Sequence, residues 1–325
     1  MDASPIIKIK PLGFPWETLD PFIFCVHHRD EFPIGNDAMG PAVSLAGRNI
    51  GQDFSGRDKW NMYHGQTMPG FPYHPHRGFE TVTAVKAGVV DHTDSLGAAG
   101  RFSAGDVQWM TAGKGVLHSE MFPLLHTDKP NPMELFQIWL NLPKRSKFVQ
   151  PHFKMLWKEH IPVLKEIDSN GRTIEVNVIA GDLKAIHALA PTPDSWAADS
   201  NNHVSILTIK LDAQAIWTLP KTEAGVNRML YFYKGGSMKV ASADVAAYRA
   251  VQLKSEFDVT LAAGDEACYL LLLQGKPMNE PVVQHGPFVM NTEAEIREAF
   301  AEYQKTQFGG WPWPNHEQAH ARERG

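Results

Sequence analysis

Two short histidine-bearing segments hold the densest chemistry in the chain. In FPYHPHRGFETVTAVKAG (71–88), His74 and His76 are one residue apart, and in QWMTAGKGVLHSEMF (108–122), His118 and Glu120 repeat that spacing. On a β-strand, residues two apart project from the same face, so each pair presents both of its side chains together. If the two segments lie side by side with both pairs inward, three imidazoles and one carboxylate converge, leaving one or two positions on a metal for water, substrate or O2. No thiolate takes part, which disfavours a closed structural zinc site. Imidazoles suit iron, copper, nickel and zinc, a carboxylate adds hardness, and the set is a near relative of the two-His-one-carboxylate triad of non-haem iron enzymes. The expectation is one metal ion, Fe(II) by preference, with Mn, Ni, Cu or Zn as alternatives. Among 15 histidines, a single HxH pair is more often structural or superficial than metal-binding. Two such pairs, each beside glycine turns, shift the reading toward metal. His27, His28, His64, His92, His126, His152, His316 and His320 are read as non-ligands, with His64 nearest the site in sequence.

The elements that must position these residues are strands. Thr81–Val85, Val107–Met110, Leu135–Leu140, Ile174–Ile179, Val204–Leu211, Met229–Tyr233 and Tyr269–Leu273 are short, apolar or alternating, and separated by Gly, Pro, Asp and Asn. This pattern predicts an all-β, mostly antiparallel chain. The exception is C-terminal: Thr292 to Glu295 forms a capping box, and Ile296, Ala299, Phe300 and Tyr303 follow on one helical face, with Gly309-Gly310 to end it. This helix is expected to pack on the second β domain. SAGD (103–106) and AAGD (262–265) each precede an apolar strand, and TVTAVKAG (81–88) and MLYFYKGG (229–236) precede them in turn, a weak internal repeat of one β unit. Residues 142–162, polar and without alternation, suggest a boundary. Residues 31–66, rich in glycine, are an irregular insertion that is either functional or poorly ordered.

Composition narrows the classes. With 43% hydrophobic and 21% charged residues over 325, the chain has material for two packed cores, and a net charge of -5 gives no basic surface for direct nucleic-acid binding. The opening MDASPIIKIK lacks the basic start and apolar core of a secretory signal, and no apolar run approaches a membrane span. Two cysteines, Cys25 and Cys268, are too few for a disulfide framework. A cytoplasmic protein is expected.

HPHRGFETV, GDVQWMTAGKGVLHSEMF and EPVVQHGPFVMNT resemble the pirin family of the cupin superfamily, and Gly70, His74, His76, Glu80, Gly105 and His118 fall on the general cupin pattern. The resemblance implies a bicupin of two jelly-roll β-barrels with a C-terminal helix and metal only in the first barrel. It implies an iron held by His74, His76, His118 and Glu120, with Glu80 outside the ligand set as an orienting or sheet-bonding residue. Met121, Trp109 and Phe71 are expected to line the cavity or to pack the core. Setting the second unit on the first puts Lys221, Glu223, Pro277 and Asn279 where the ligands would be. The expected domains are 1–145 (metal-binding cupin, insertion 31–66), 146–170 (linker), 171–290 (cupin without ligands) and 291–325 (helix and tail). The family implies an Fe(II)-dependent dioxygenase of the quercetin 2,3-dioxygenase type, acting with O2 on a flavonol-like or other enol substrate, with Glu120 as ligand and catalytic base. The alternative is a non-enzymatic redox-responsive regulator of a transcription factor or metabolic enzyme, its responsive surface including Arg77. The insertion departs from the family and is expected to form a lid or narrow the entrance, and so to alter substrate choice.

Overall fold

The computed structural model describes residues 4–323. The chain divides into two compact units. One gathers Val26–Lys158 with the chain from Glu280 onward, and the other gathers the chain up to Cys25 with Glu159–Asn279.

The second of these units begins with β1 (Ile6–Pro11), which pairs antiparallel with Arg249–Leu253 at the edge of a seven-stranded sheet. A four-stranded sheet, Ile216–Leu219 to Ala243–Ala246, completes it, around a core that includes Val176, Leu207, Trp217, Phe232, Leu261 and Leu270.

The first unit is built on β2 (Phe22–Phe32), β3 (Gly70–His76), β4 (Phe79–Ala87), β5 (Val89–Asp94), β6 (Ala99–Ser103), β7 (Val107–Thr111), β8 (Val116–Met121), β9 (Asn131–Asn141) and β10 (His152–Leu156). They form two sheets, in the orders β10-β7-β4-β9-β2 and β3-β8-β5-β6. Strand β4 lies between β7 and β9, antiparallel to both, and it is buried along most of its length. The internal repeat is realised as a pairing: β4 lies antiparallel to β7, and Asn227–Lys234 lies antiparallel to Cys268–Gly275.

Three expectations are corrected. Strand β1 does not belong with the metal motifs, because it finds its hydrogen-bonding partner in Arg249–Leu253. The stretch expected to be a linker without strands contains β10, which extends the β7 edge, and Val163–Ile167, which pairs with Thr173–Ala180. Helix α1 (Glu293–Thr306) packs on the first unit rather than on the second β domain. Its start is as read: Thr292 Oγ1 accepts from the Glu295 amide at 3.2 Å, and Glu295 Oε2 accepts from the Thr292 amide at 2.9 Å. Arg77 explains where it docks. That guanidinium donates to the Lys114 carbonyl (2.6 Å) and to Glu302 of α1 (2.8 Å), and lies 4.4 Å from the Phe308 ring centroid. At 2% exposure Arg77 is a buried tether, not a surface residue.

The tail after α1 is laid along the same unit. Trp311 stacks on Tyr73, the Trp313 indole donates to the Asp94 carbonyl, and Glu317 accepts from the amides of Gln66, Thr67 and Met68. Residues 31–66 contain one short 3-10 turn, Arg57–Lys59, yet they are held by buried polar contacts. Arg48 lies 3.3 Å over the Trp60 ring and donates to Asp53 at 2.8 Å, while Asp30 accepts from the Tyr63 hydroxyl at 2.6 Å. Trp60, Met62 and Tyr63 join the core of Phe32, Val85, Phe102 and Phe122. Among the described residues, no helix is long and apolar enough to cross a membrane.

Candidate metal centre

Strands β3 and β8 run antiparallel with His74 opposite His118, and a bulge between Phe71 and His74 sets that register. The i,i+2 spacing then places His76 beside the same pair. The three rings lie 4.5 to 4.8 Å apart, centroid to centroid. One ligand atom from each of His74, His76 and His118 falls within 4.8 Å of the others, the one compact group of this kind among the described residues. Glu120 lies at the margin of that group, its Oε2 4.0 Å from His118 Nε2. Its carboxylate is held instead by the Thr83 hydroxyl, 2.8 Å from Oε1, and by the Gln137 amide, 2.8 Å from Oε2.

The donor set fits a cation. His74 Nδ1 donates to the Pro72 carbonyl at 2.9 Å, which leaves its Nε2 with a free lone pair, 3.1 Å from His76 Nε2. Two donors each about 2.1 Å from one ion span such a gap at close to a right angle. Both ring nitrogens of His118 are buried without a hydrogen-bond partner, a state that costs about 1–3 kcal/mol per group unless something fills it. Burial pushes the imidazole of His74 down to about 4, and holds His76 and His118 well below the usual histidine range. All three are therefore neutral at pH 7, the form that binds metal. Burial raises the Glu120 carboxyl, and the Thr83 and Gln137 hydrogen bonds work against that rise.

Other side chains come to this centre that sequence reasoning missed. His92 on β5 sits opposite Glu120 on β8, 5.5 Å from the His118 ring, and stacks on Phe153 at 4.6 Å. One of its nitrogens faces Asp94 Oδ2 at 3.2 Å and the other faces the Gln108 amide at 3.3 Å, all fully buried. From sequence alone, His92 falls among the non-ligands. His92 and Asp94 are in fact two apart on one strand, the same signal that marked the other pairs. Thr83, Gln108 and Gln137 carried no such signal, because only the register of three strands makes them neighbours: Gln108 opposes Thr83 on one side and Gln137 opposes it on the other.

Of the expected lining residues, Phe71 lies beside the site, 6.3 Å from the His74 ring. Trp109 and Met121 follow Gln108 and Glu120 directly, so strand alternation turns them to the opposite faces of β7 and β8, where both are fully buried. Glu80 accepts from the Thr111 hydroxyl at 2.7 Å, its partner across the β4–β7 ladder, so it bonds within the sheet. His64 contacts Phe71 at 5.7 Å and Phe54 at 5.0 Å, one ring removed from His74.

This centre sits in a chain whose residues 15–140 match the pirin family model and whose residues 206–309 match that of the pirin C-terminal cupin domain. The chain belongs to the pirin family. Its two domains are cupins, and the three-histidine cluster lies in the part matched by the first pirin model. Pirin-1 of Arabidopsis thaliana is 37% identical over 244 residues, covering 74% of this chain and 78% of that protein. Pirin of Rattus norvegicus is 34% identical over 255 residues, covering 77% and 81%. The crystal structure of a quercetin 2,3-dioxygenase from Acinetobacter baumannii superposes with a TM-score of 0.73 at 26% identity, covering 94% of this chain and 98% of that one.

Proposed function

We propose that this pirin is a metal-dependent dioxygenase that opens a flavonol-like or other enol aromatic substrate with O2. The observation that carries the reading is the trio of half-buried His74 and buried His76 and His118, neutral and with His118 unpaired at both nitrogens. The likeness to the Acinetobacter quercetin 2,3-dioxygenase supports the substrate class. The three imidazoles would hold the ion, with Glu120 as a fourth donor. Iron(II) suits nitrogen donors joined by one hard carboxylate, and Mn, Ni, Cu and Zn are the alternatives. A bound ion polarises an enol oxygen and lowers the pKa of its hydroxyl. In this reading Glu120 would accept the proton that leaves, which its buried carboxylate at the edge of the trio supports. Phe71, backed by Tyr63, His64 and Phe54, offers an apolar wall for the substrate ring.

The regulator reading loses its surface element, since Arg77 is buried and engaged by Glu302. A protein partner remains a secondary expectation of the family. Both cysteines are free and buried, which supports a cytoplasmic setting.

The test is aerobic loss of quercetin absorbance by iron-loaded protein beside His118→Ala. The expected result is turnover in the parent and none in the variant. A parent that holds one iron per chain and leaves quercetin unchanged would set aside the flavonol assignment.

A further inference from the structure

Glu120 projects from β8 in one sheet, yet both groups that hold it come from the other. Thr83 on β4 and Gln137 on β9 are register partners, so their side chains stand next to each other on one face of the five-stranded sheet. Thr83 is 1% exposed. A buried hydroxyl is costly in a barrel interior unless it finds a partner, and valine would fill the Thr83 position without that cost; Gln137 beside it is half-buried. The partner found is the carboxylate. The Gln137 amide nitrogen donates to Oε2 at 2.8 Å. The Thr83 hydroxyl lies 2.8 Å from Oε1 and 2.5 Å from the Gln137 carbonyl oxygen, and its one hydrogen serves one of them at a time.

Three consequences follow from that chemistry. The Gln137 amide holds Oε2, and when the Thr83 hydrogen turns to Oε1 both oxygens are engaged and the carboxylate is fixed in one orientation. A carboxylate has about four lone-pair sites, so two engaged sites leave others for an ion or a substrate proton. The clamp is also neutral. An arginine or lysine would cancel the charge that a metal needs from Glu120, whereas an amide and a hydroxyl fix the carboxylate and leave its charge in place.

We propose that Thr83 and Gln137 are positioning residues: they fix the Glu120 carboxylate against the three histidines and so set how firmly the site holds its metal. The inference rests on the reading of His74, His76 and His118 as a metal site. It adds two residues from the facing sheet.

The experiment uses the full chain and Co(II), with affinity from chelator competition and the visible Co(II) spectrum as a second readout. Gln137→Met and Thr83→Val are expected to weaken Co(II) binding about 10- to 100-fold, the usual cost of losing a partner to a ligand, and to shift the Co(II) bands. Thr83→Ser, which keeps the hydroxyl, is expected to retain parental affinity. The deciding comparison is the Glu120→Gln background, where adding Gln137→Met or Thr83→Val should change neither readout further. A merely structural role would lower affinity equally in both backgrounds, and that result overturns the proposal, as does an unchanged affinity and spectrum in the clamp variants. The Thr83 series decides the matter if Gln137→Met does not fold. Failure of the folded parent to take up Co(II) is a different outcome: it removes the metal-site reading, and the clamp with it.

Discussion

At the scale of single residues, burial decides which groups do chemistry and which hold the frame. His76 and His118 are buried and His74 is half-buried, and all three are kept neutral, so their lone pairs are available to a cation. Lys147 shows the opposite use of burial. It is 1% exposed, and its ammonium donates to the Gly78 carbonyl and Asn141 Oδ1 at 2.8 Å and to the Val289 carbonyl at 3.1 Å. Desolvation pushes its pKa from 10.5 down to about 8. Between those values the unfolded chain binds more protons than the folded one. Stability from this group is therefore complete above pH 10.5, and is lost as the pH falls through about 8. The amplitude is at most about 3 kcal/mol, from about 1.4 kcal/mol per pH unit. Urea unfolding at pH 8 and pH 10.5 should show the parent gaining stability relative to Lys147→Met as pH rises. Equal pH slopes in the two proteins would contradict this role. At this scale the sequence was readable where chemistry repeats at strand spacing, as in His74–His76 and His118–Glu120. Thr83 and Gln137 are ordinary strand residues until a register places them side by side, and nothing local announces that register.

Elements were legible in proportion to how local their signals are. The capping box at Thr292 and Glu295 is written within four residues, and the helix begins there. The docking of that helix depends on Arg77, far away in the chain, and could not be read from the helix face alone. Replacing Thr292 with Ala removes a cap worth about 1 kcal/mol. It should lower the thermal midpoint of the protein and leave metal stoichiometry unchanged. Gly115 tests the next contact along the chain. It has φ +133, and a Cβ there would lie 2.7 Å from the Phe308 ring, so Gly115→Ala should be more damaging than the lost cap and should loosen the chain after α1 to protease. The insertion at 31–66 is irregular but anchored by Trp60, Met62 and Tyr63 in the core, so removing it whole would damage the fold. Substitutions at its tip are cleaner. Phe54 is 48% exposed and touches His64 and Phe71. Phe54→Ala is expected to raise KM for a flavonol several-fold, about 1 kcal/mol and the low end of what a hydrophobic pocket contact supplies because the ring is half exposed, with metal content unchanged. An unaltered KM would separate the insertion from substrate choice.

For the whole molecule, the ends of the chain are assigned against their order in sequence. The segment up to Cys25 belongs with Glu159–Asn279, and the chain from Glu280 onward belongs with the unit that holds the three-histidine cluster. Composition and turn signals indicated two β domains, but no local signal states which partner a terminal strand or helix chooses, because pairing is decided by hydrogen-bond edges and apolar faces far away in sequence. Here β1 completes an edge beside Arg249–Leu253, while Ile296 and Ala299 of α1 bury themselves with Phe288 and Met290. This arrangement makes two truncations diverge in the direction opposite to sequence proximity. Removing the residues before Gly13 strips β1 from the second unit, and should lower that unit's stability while metal stoichiometry stays at the parental level. Ending the chain at Asn291 removes α1, the Glu302 partner of the buried Arg77, and the contacts of Trp311, Trp313 and Glu317 with the chain around His74. The Arg77–Glu302 pair is half exposed and contributes about 1 kcal/mol at most, but losing the burial of apolar side chains such as Ile296 costs about 1.5–3 kcal/mol each, against a typical total of about 5–15. The C-terminal truncation should therefore abolish metal uptake even though it lies far from the HPH motif in sequence. Chelator competition on both truncated chains reads the result directly. Metal lost with β1 and kept without α1 would mean that the metal unit is organised by the N-terminus after all.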